Sequence, residues 1–454
     1  MKRRDFIKGT AILVAAAGAS NALKAADKLQ ESSGQPDVKE NPEKTCSKLI
    51  VSDPMLQNYA ETSMGVAFGV SSLANGYVLV GEQPDLSDAV KVKSGGFRMT
   101  EINDKVIQVR LTGLKPATKY YYRVGADSIN YIAGNKIKIT GNEEDPRIHS
   151  FTTAGKEARA HFCVINDTHV HWDAIERAWD KIAALSPSCV IWNGDASNIE
   201  ETIDRQIRIF IKPEIDRKDY ASDLPYLFCP GNHDDRGMAN RHLENVWMFR
   251  QPEERSSRDW DLGRNFAVRM GDIALIGLDT AEDKLDTNPR YAFLFKSEPY
   301  REAQVAWLED ALKRKEIASA PYLVAFCHIP LFDDDPTHNP GDIAPADTDP
   351  RYKHTFALWQ RTCAKLWGPA LQKAGCQLLI TAHQHKYRYD APTADRCWGQ
   401  IVGGGPELKE EVYPTVIEGE VVGRTLQITV HNLLTGQIQD TFTFKPRKKG
   451  RRKA

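Results

Sequence analysis

The chain has 454 residues, 41% hydrophobic and 27% charged, which is long enough for two or three domains with cores of their own and excludes intrinsic disorder or a collagen-like repeat. Lys and Arg number 60 against 61 Asp and Glu, so nothing in the overall charge calls for nucleic acid or an anionic membrane as partner. Eight cysteines are too dilute for a disulfide scaffold, and Cys163, Cys189, Cys229 and Cys327 sit in apolar runs where a small buried thiol packs well.

In chain order, the start reads Met1-Lys2-Arg3-Arg4-Asp5-Phe6-Ile7-Lys8, then an apolar stretch at 11–19 and the small pair Ala25-Ala26. Basic, then apolar, then small is the order of a signal peptide, here residues 1–26, with an apolar part too short to span a bilayer. The Arg-Arg-x-Phe-Ile-Lys run resembles the twin-arginine export signal, which implies delivery of a folded protein from a bacterial cytoplasm to the periplasm or beyond. No later segment has eighteen apolar residues in a row, so no membrane span is expected once the signal is removed. Residues 27–47 are polar, rich in Ser, Gly and Pro, and read as a linker. Residues 48–154 change to short alternating runs separated by turn signals, the pattern of an all-β sandwich. Within them, the stretch from Leu111-Thr112-Gly113-Leu114-Lys115-Pro116 through Thr118, Tyr120 and Tyr122 resembles a fibronectin type III domain. The resemblance implies that Tyr120 and Tyr122 are buried and that the domain is a scaffold or docking unit, since it holds no titratable cluster.

From residue 155 apolar strands alternate with helical segments. Strands are expected at 161–165, 189–192, 226–229, 274–278, 322–326 and 377–380, and helices at 173–185, 302–315 and 352–373. This is an α/β domain, residues 155–445, whose final stretch 412–444 alternates again and should return to a sheet. Residues 446–454 form a basic, solvated tail.

Five polar clusters punctuate this domain at strand ends: Asp167-Thr168-His169, Gly194-Asp195, Gly231-Asn232-His233-Asp234, His328, and His383-Gln384-His385. The carboxyl ends of strands in an open α/β sheet form a common crevice, so clusters distant in sequence can converge there. Their Asp, Asn and His side chains suit divalent first-row metals, and two adjacent ions need one bridging carboxylate plus terminal ligands on each side. His171, His242, His338 and His354 lack such placement and read as surface residues, with His338 on a loop that could reach substrate.

The order Asp-x-His, Gly-Asp, Gly-Asn-His-Asp, His and x-His-x-His, spaced by 28, 37, 96 and 55 residues from Asp167 to His383, resembles the calcineurin-like metallophosphoesterase superfamily. With a β-sandwich in front, the layout is similar to purple acid phosphatases. The resemblance implies a β-sandwich flanked by helices. It also implies a first metal on Asp167, His169 and His385, a bridging Asp195, and a second metal on Asn232, His328 and His383. His233 would be the non-ligand histidine at the leaving group, steadied by a carboxylate for which Asp234 is the local candidate. In the purple branch a tyrosine stands three residues after the bridging aspartate. Here Asn198 stands there, so a purple ferric site is not expected and His169 takes the vacated coordination place. Other branches carry an aspartate at that position to orient the catalytic histidine, which leaves the partner of His233 open. Ala382 replaces the glycine usual before the last two histidines.

The resemblance thus implies an exported, metal-dependent phosphoric ester hydrolase with two ions (Fe, Mn or Zn) acting on a small phosphorylated substrate, monoesters favoured. A phosphodiesterase or nuclease of the same superfamily, and an inactive surface-binding protein, are the competing readings. Oligomeric state leaves no mark in the sequence.

Overall fold

The computed structural model describes residues 48–95, 104–213, 218–249, 260–332 and 355–447. The expected signal peptide and linker, most of the basic tail, His338 and His354 lie outside these residues.

The N-terminal part is all β: β1 (Met55–Gln57), β2 (Ser63–Gly69), β3 (Ala74–Gly81), β4 (Val90–Lys93), β5 (Val106–Thr112), β6 (Lys119–Ala133), β7 (Lys136–Glu144) and β8 (His149–Thr152). Then come β9 (His161–Ile165), α1 (Trp172–Leu185), β10 (Cys189–Trp192), α2 (Ile203–Phe210), β11 (Tyr226–Phe228), β12 (Phe266–Met270) and β13 (Ile273–Leu278). The second half holds α3 (Ser297–Lys313), α4 (Lys315–Ala318), β14 (Tyr322–Cys327), α5 (Thr355–Ala374), β15 (Leu378–Thr381), β16 (Arg388–Asp390) and β17 (Gly399–Val402). It ends with β18 (Thr415–Val422), β19 (Thr425–Asn432) and β20 (Ile438–Phe444).

Two mixed sheets stack face to face. The larger runs β20-β19-β18-β9-β10-β11-β1-β2-β5 and the smaller β12-β13-β14-β15-β17-β16. Strands that are apolar throughout must be covered on both faces. Phe162, Val164, Ile191 and Leu227 accordingly meet Leu275, Val324, Phe326 and Ile380 between the sheets, with Phe162 edge-on to Phe326 at 5.7 Å. The alternate residues Cys163, Ile165, Val190 and Trp192 face outward onto α1 and α2, where Ile175, Ala178, Trp179 and Ile182 recur at helical spacing. Ile276, Leu323, Ala325 and Leu379 pack on α3 and α5 through Trp307, Leu308, Trp367 and Leu371. The result is the expected sandwich flanked by helices, and the four apolar-run cysteines are buried.

The sandwich at the front is not a separate layer. β1 pairs in parallel with β11, Gln57 opposite Tyr226, so β1, β2 and β5 extend the large sheet, while β4-β3-β6-β7, with β8 on β6, make the facing one. Tyr120 and Tyr122 are buried; the Tyr120 hydroxyl accepts the Lys115 N–H at 2.9 Å and the Tyr122 hydroxyl donates to the Ser222 carbonyl at 2.6 Å. Hydrophobic periodicity does not reveal α2, β12, β16 and β17. β12 is interrupted by buried Arg269, and β17 carries Gln400, whose amide bonds are all internal, to Phe332, Asp390 and the N–H groups of Leu331 and Phe332. Helix α3 begins at residue 297 rather than 302 because a distant side chain caps it: Asp286 accepts the N–H groups of Ser297 and Glu298 at 2.8 and 3.1 Å.

Candidate metal centre

All five clusters meet where β9, β10, β11, β14 and β15 end. Asp167, His169, Asp195 and His385 bring one ligand atom each to within 4.8 Å of one another, and Asp195, His328 and His383 do the same. The two groups share Asp195, as a bridging carboxylate requires.

The backbone is bent to achieve this. Asp167, His169, Asp195, His383 and His385 all have positive φ, between 42° and 71°. Left-handed backbone costs a non-glycine residue roughly 1 kcal/mol or more, and it persists only where surrounding contacts over-determine it. Asp167 N–H is tied to the Gly194 carbonyl and His169 N–H to the Asp195 carbonyl, both at 3.0 Å. Glycine appears where two loops touch. A Cβ on Gly231 would lie 2.3 Å from Asp195 Oδ1 and 2.8 Å from His328 Cδ2, and one on Gly194 would lie 2.3 Å from His328 Nδ1. Ala382 is fully buried and is not among the positive-φ residues, so the methyl group there is accommodated.

At the first group, His169 Nε2 lies 3.0 Å from His385 Nε2 and 3.4 Å from Asp195 Oδ2; His385 Nε2 is 3.4 Å from Asp167 Oδ1. Two imidazole nitrogens turned on each other beside two carboxylates are a ligand arrangement. The other oxygen of Asp167 is fixed by the Asn166 amide at 2.8 Å and the His383 N–H at 2.9 Å. At the second group, His328 Nδ1 donates to the Asn193 carbonyl at 2.9 Å, which leaves Nε2 facing Asp195 Oδ2 at 3.2 Å. His383 Nδ1 lies 2.9 Å from Asn232 Oδ1, with Asp283 Oδ2 3.7 Å behind its Nε2. Asp167 Oδ1 and His328 Nε2 are buried without a hydrogen-bond partner, a state that costs free energy unless a cation takes their lone pairs. The donor set fits two metal ions.

Burial opposes ionisation of Asp167 and Asp195, yet His328 and the neighbouring histidines lower both carboxyls, Asp195 well below the usual range. Burial likewise opposes protonation of His328, but Asp195 and Asp167 lift it to about 10. Burial lowers His169 and takes His383 down to about 4. His385 is raised against its burial by Asp167.

His233 sits beside this centre, its ring edge-on to His169 at 4.8 Å. The structure does not bring Asp234 to it. The Asp234 carboxylate accepts the Ser197 N–H and hydroxyl at 3.0 and 2.9 Å and the Gly231 N–H at 2.9 Å, a turn-forming role; burial and Asp195 raise it to about 7. Nor is Asn198 a partner: its side-chain oxygen faces His169 Nδ1 at 2.9 Å and its amide donates to the His169 carbonyl. What meets His233 Nε2 is the Arg236 guanidinium, at 2.9 Å. Burial drives the His233 ring down to about 4, so it is neutral and accepts from the arginine. The sequence motifs do not single out Arg236, Glu282 or Asp283, although Asp279-Thr280-Ala281-Glu282-Asp283 follows a buried strand as the other clusters do. His171 and His242 are exposed.

Residues 160–387 match the model of the family described as calcineurin-like phosphoesterase. The chain belongs to the calcineurin-like phosphoesterase family. Residues 54–140 of this phosphoesterase match the purple acid phosphatase N-terminal domain. Among curated relatives, human acid phosphatase type 7 is 26% identical over 198 residues, 41% of this chain and 37% of that one. The mouse protein of the same name is 24% identical over 290 residues, 62% and 56% of the two chains. The phosphoesterase thus spans roughly a third to a half of the length of these relatives. Similar solved folds are a purple acid phosphatase from yellow lupin (TM-score 0.58, 13% identity, covering 86% of this chain and 74% of that one) and PhoD (0.56, 11%, 88% and 90%).

Proposed function

We propose that this phosphoesterase is an exported enzyme that hydrolyses small phosphate monoesters at a two-metal centre. The observation that carries the reading is the shared Asp195, flanked by the buried donor atoms Asp167 Oδ1 and His328 Nε2, which have no hydrogen-bond partner. When bound, two such ions lower the pKa of water and neutralise phosphoryl charge. Asp167, His169 and His385 would hold the first ion, Asn232, His328 and His383 the second, and Asp195 both. Asn166, Asn193 and Asn198 fix the rings and carboxylates that would otherwise rotate. His233 stands at the leaving-group side as a neutral imidazole.

Monoester preference is supported by the acid phosphatase relatives and the purple acid phosphatase-like layout, and export by the twin-arginine-like start. The described residues contain no helix long and apolar enough to cross a membrane. The β-sandwich, proposed as residues 48–154, braces the catalytic sheet. The test is elemental analysis of purified protein with turnover of a chromogenic monoester and the matching diester, with and without added Fe, Mn or Zn. About two metal ions per chain and faster monoester cleavage are expected. A metal-free protein inert towards both esters would leave the surface-binding reading standing instead.

A further inference from the structure

Arg236 is held in an unusual way. Its Nε and Nη2 form a fork on Glu282 at 2.9 and 2.8 Å, and Nη2 also meets Asp283 at 2.9 Å. Lys284 also caps Asp283 at 2.8 and 2.7 Å, so the fork fixes the guanidinium by its geometry. The Tyr291 ring lies beneath, 5.4 Å from the guanidinium carbon. With Nε and Nη2 committed, Nη1 is the end that faces His233, whose ring lies edge-on to His169. One of its N–H groups reaches His233 Nε2 at 2.9 Å; the other has no acceptor among the described residues. The guanidinium is nine-tenths buried, and neither Asp234 nor Asn198 competes for His233.

We propose that Arg236 is a substrate-binding residue whose Nη1 takes a non-bridging phosphoryl oxygen, and that it selects monoester dianions over diester monoanions. The inference rests on the phosphoesterase reading. A monoester carries close to two negative charges near neutral pH, whereas a diester carries one. A fixed guanidinium beside the metal pair therefore stabilises the dianion more. The carboxylate fork orients Nη1 before substrate arrives, so little side-chain entropy is lost on binding.

The experiment compares wild type, Arg236→Met and Arg236→Lys, all metal-loaded, by isothermal titration with inorganic phosphate, by kcat and KM on a monoester and a diester, and by metal content. Arg236→Met is expected to keep its metals, to bind phosphate about tenfold or more weakly, and to lose about 100-fold in kcat/KM on the monoester but under about fivefold on the diester. Arg236→Lys should recover part of the phosphate affinity through its charge. Unchanged phosphate affinity and an unchanged monoester-to-diester ratio, with metals retained, would overturn the proposal. If Arg236→Met does not fold, the lysine variant decides, since a purely bracing role would leave its phosphate affinity at the wild-type value. A wild type that neither binds phosphate nor cleaves either ester would instead overturn the phosphoesterase reading.

Discussion

Asn198 turns its side chain to His169, with the ring nitrogen facing its oxygen and its amide on the backbone carbonyl. It therefore sets both the tautomer and the tilt of a proposed metal ligand. Replacing such an outer partner typically costs 10–100-fold in metal affinity. Asn198→Ala should release the first ion at lower chelator concentration than the second, as followed by metal-competition titration. Asp195→Ala removes the shared carboxylate and should abolish metal content and turnover together. His233→Ala should keep both metals, measured by elemental analysis, while kcat falls, because Arg236 Nη1 loses the acceptor that orients it.

At the scale of loops and strands, glycines decide how closely the site can close. Gly231 lets the β11 loop lie against Asp195 and His328. Gly231→Ala should push both ligands apart, and metal content together with melting temperature would register it: metals lost and Tm lowered. The polar clusters were legible in the sequence because they are short polar breaks at the ends of apolar strands, and the structure brings Asp167, His169, Asp195, Asn232, His328, His383 and His385 together there. The partner of His233 was not legible. Arg236 acts across the chain through Glu282 and Asp283, 46 and 47 residues away, and such side-chain pairing has no periodicity. Asp234 stands next to His233 in sequence yet turns to Ser197, because adjacent side chains in a tight turn point to different sides. Strands β16 and β17 were hidden for a related reason: a buried Gln400 satisfied by Asp390 and Phe332 breaks the apolar run that would mark a strand.

The whole molecule is bound together across the large sheet and by a charged knot where its front and rear parts meet. There, contrary to the expectation that residues 48–154 hold no titratable cluster, His149 lies 3.3 Å from Asp145 and 3.8 Å from Asp223, with Arg147 on Asp145 and Asp53 and the Tyr122 ring alongside. Burial lowers the histidine, but the two carboxylates overcome it and raise it to about 9. A group raised on folding stabilises while it is protonated. Its contribution, on the order of 2 kcal/mol, is complete below about 6.5, its unfolded value, and is lost as pH rises through about 9. Denaturant midpoints should therefore fall between these limits in wild type and stay flatter in His149→Ala.

The left-handed turns at Asp167, His169, Asp195, His383 and His385 are tied by backbone bonds at Asp167 and His169 and would be pinned further by the cations proposed between their side chains. Stripping the protein with a chelator lets them relax before any strand lets go. Amide hydrogen exchange should then quicken at Asp167, Asp195 and His383 while β9 and β14 keep their protection, a local thaw readable by mass spectrometry.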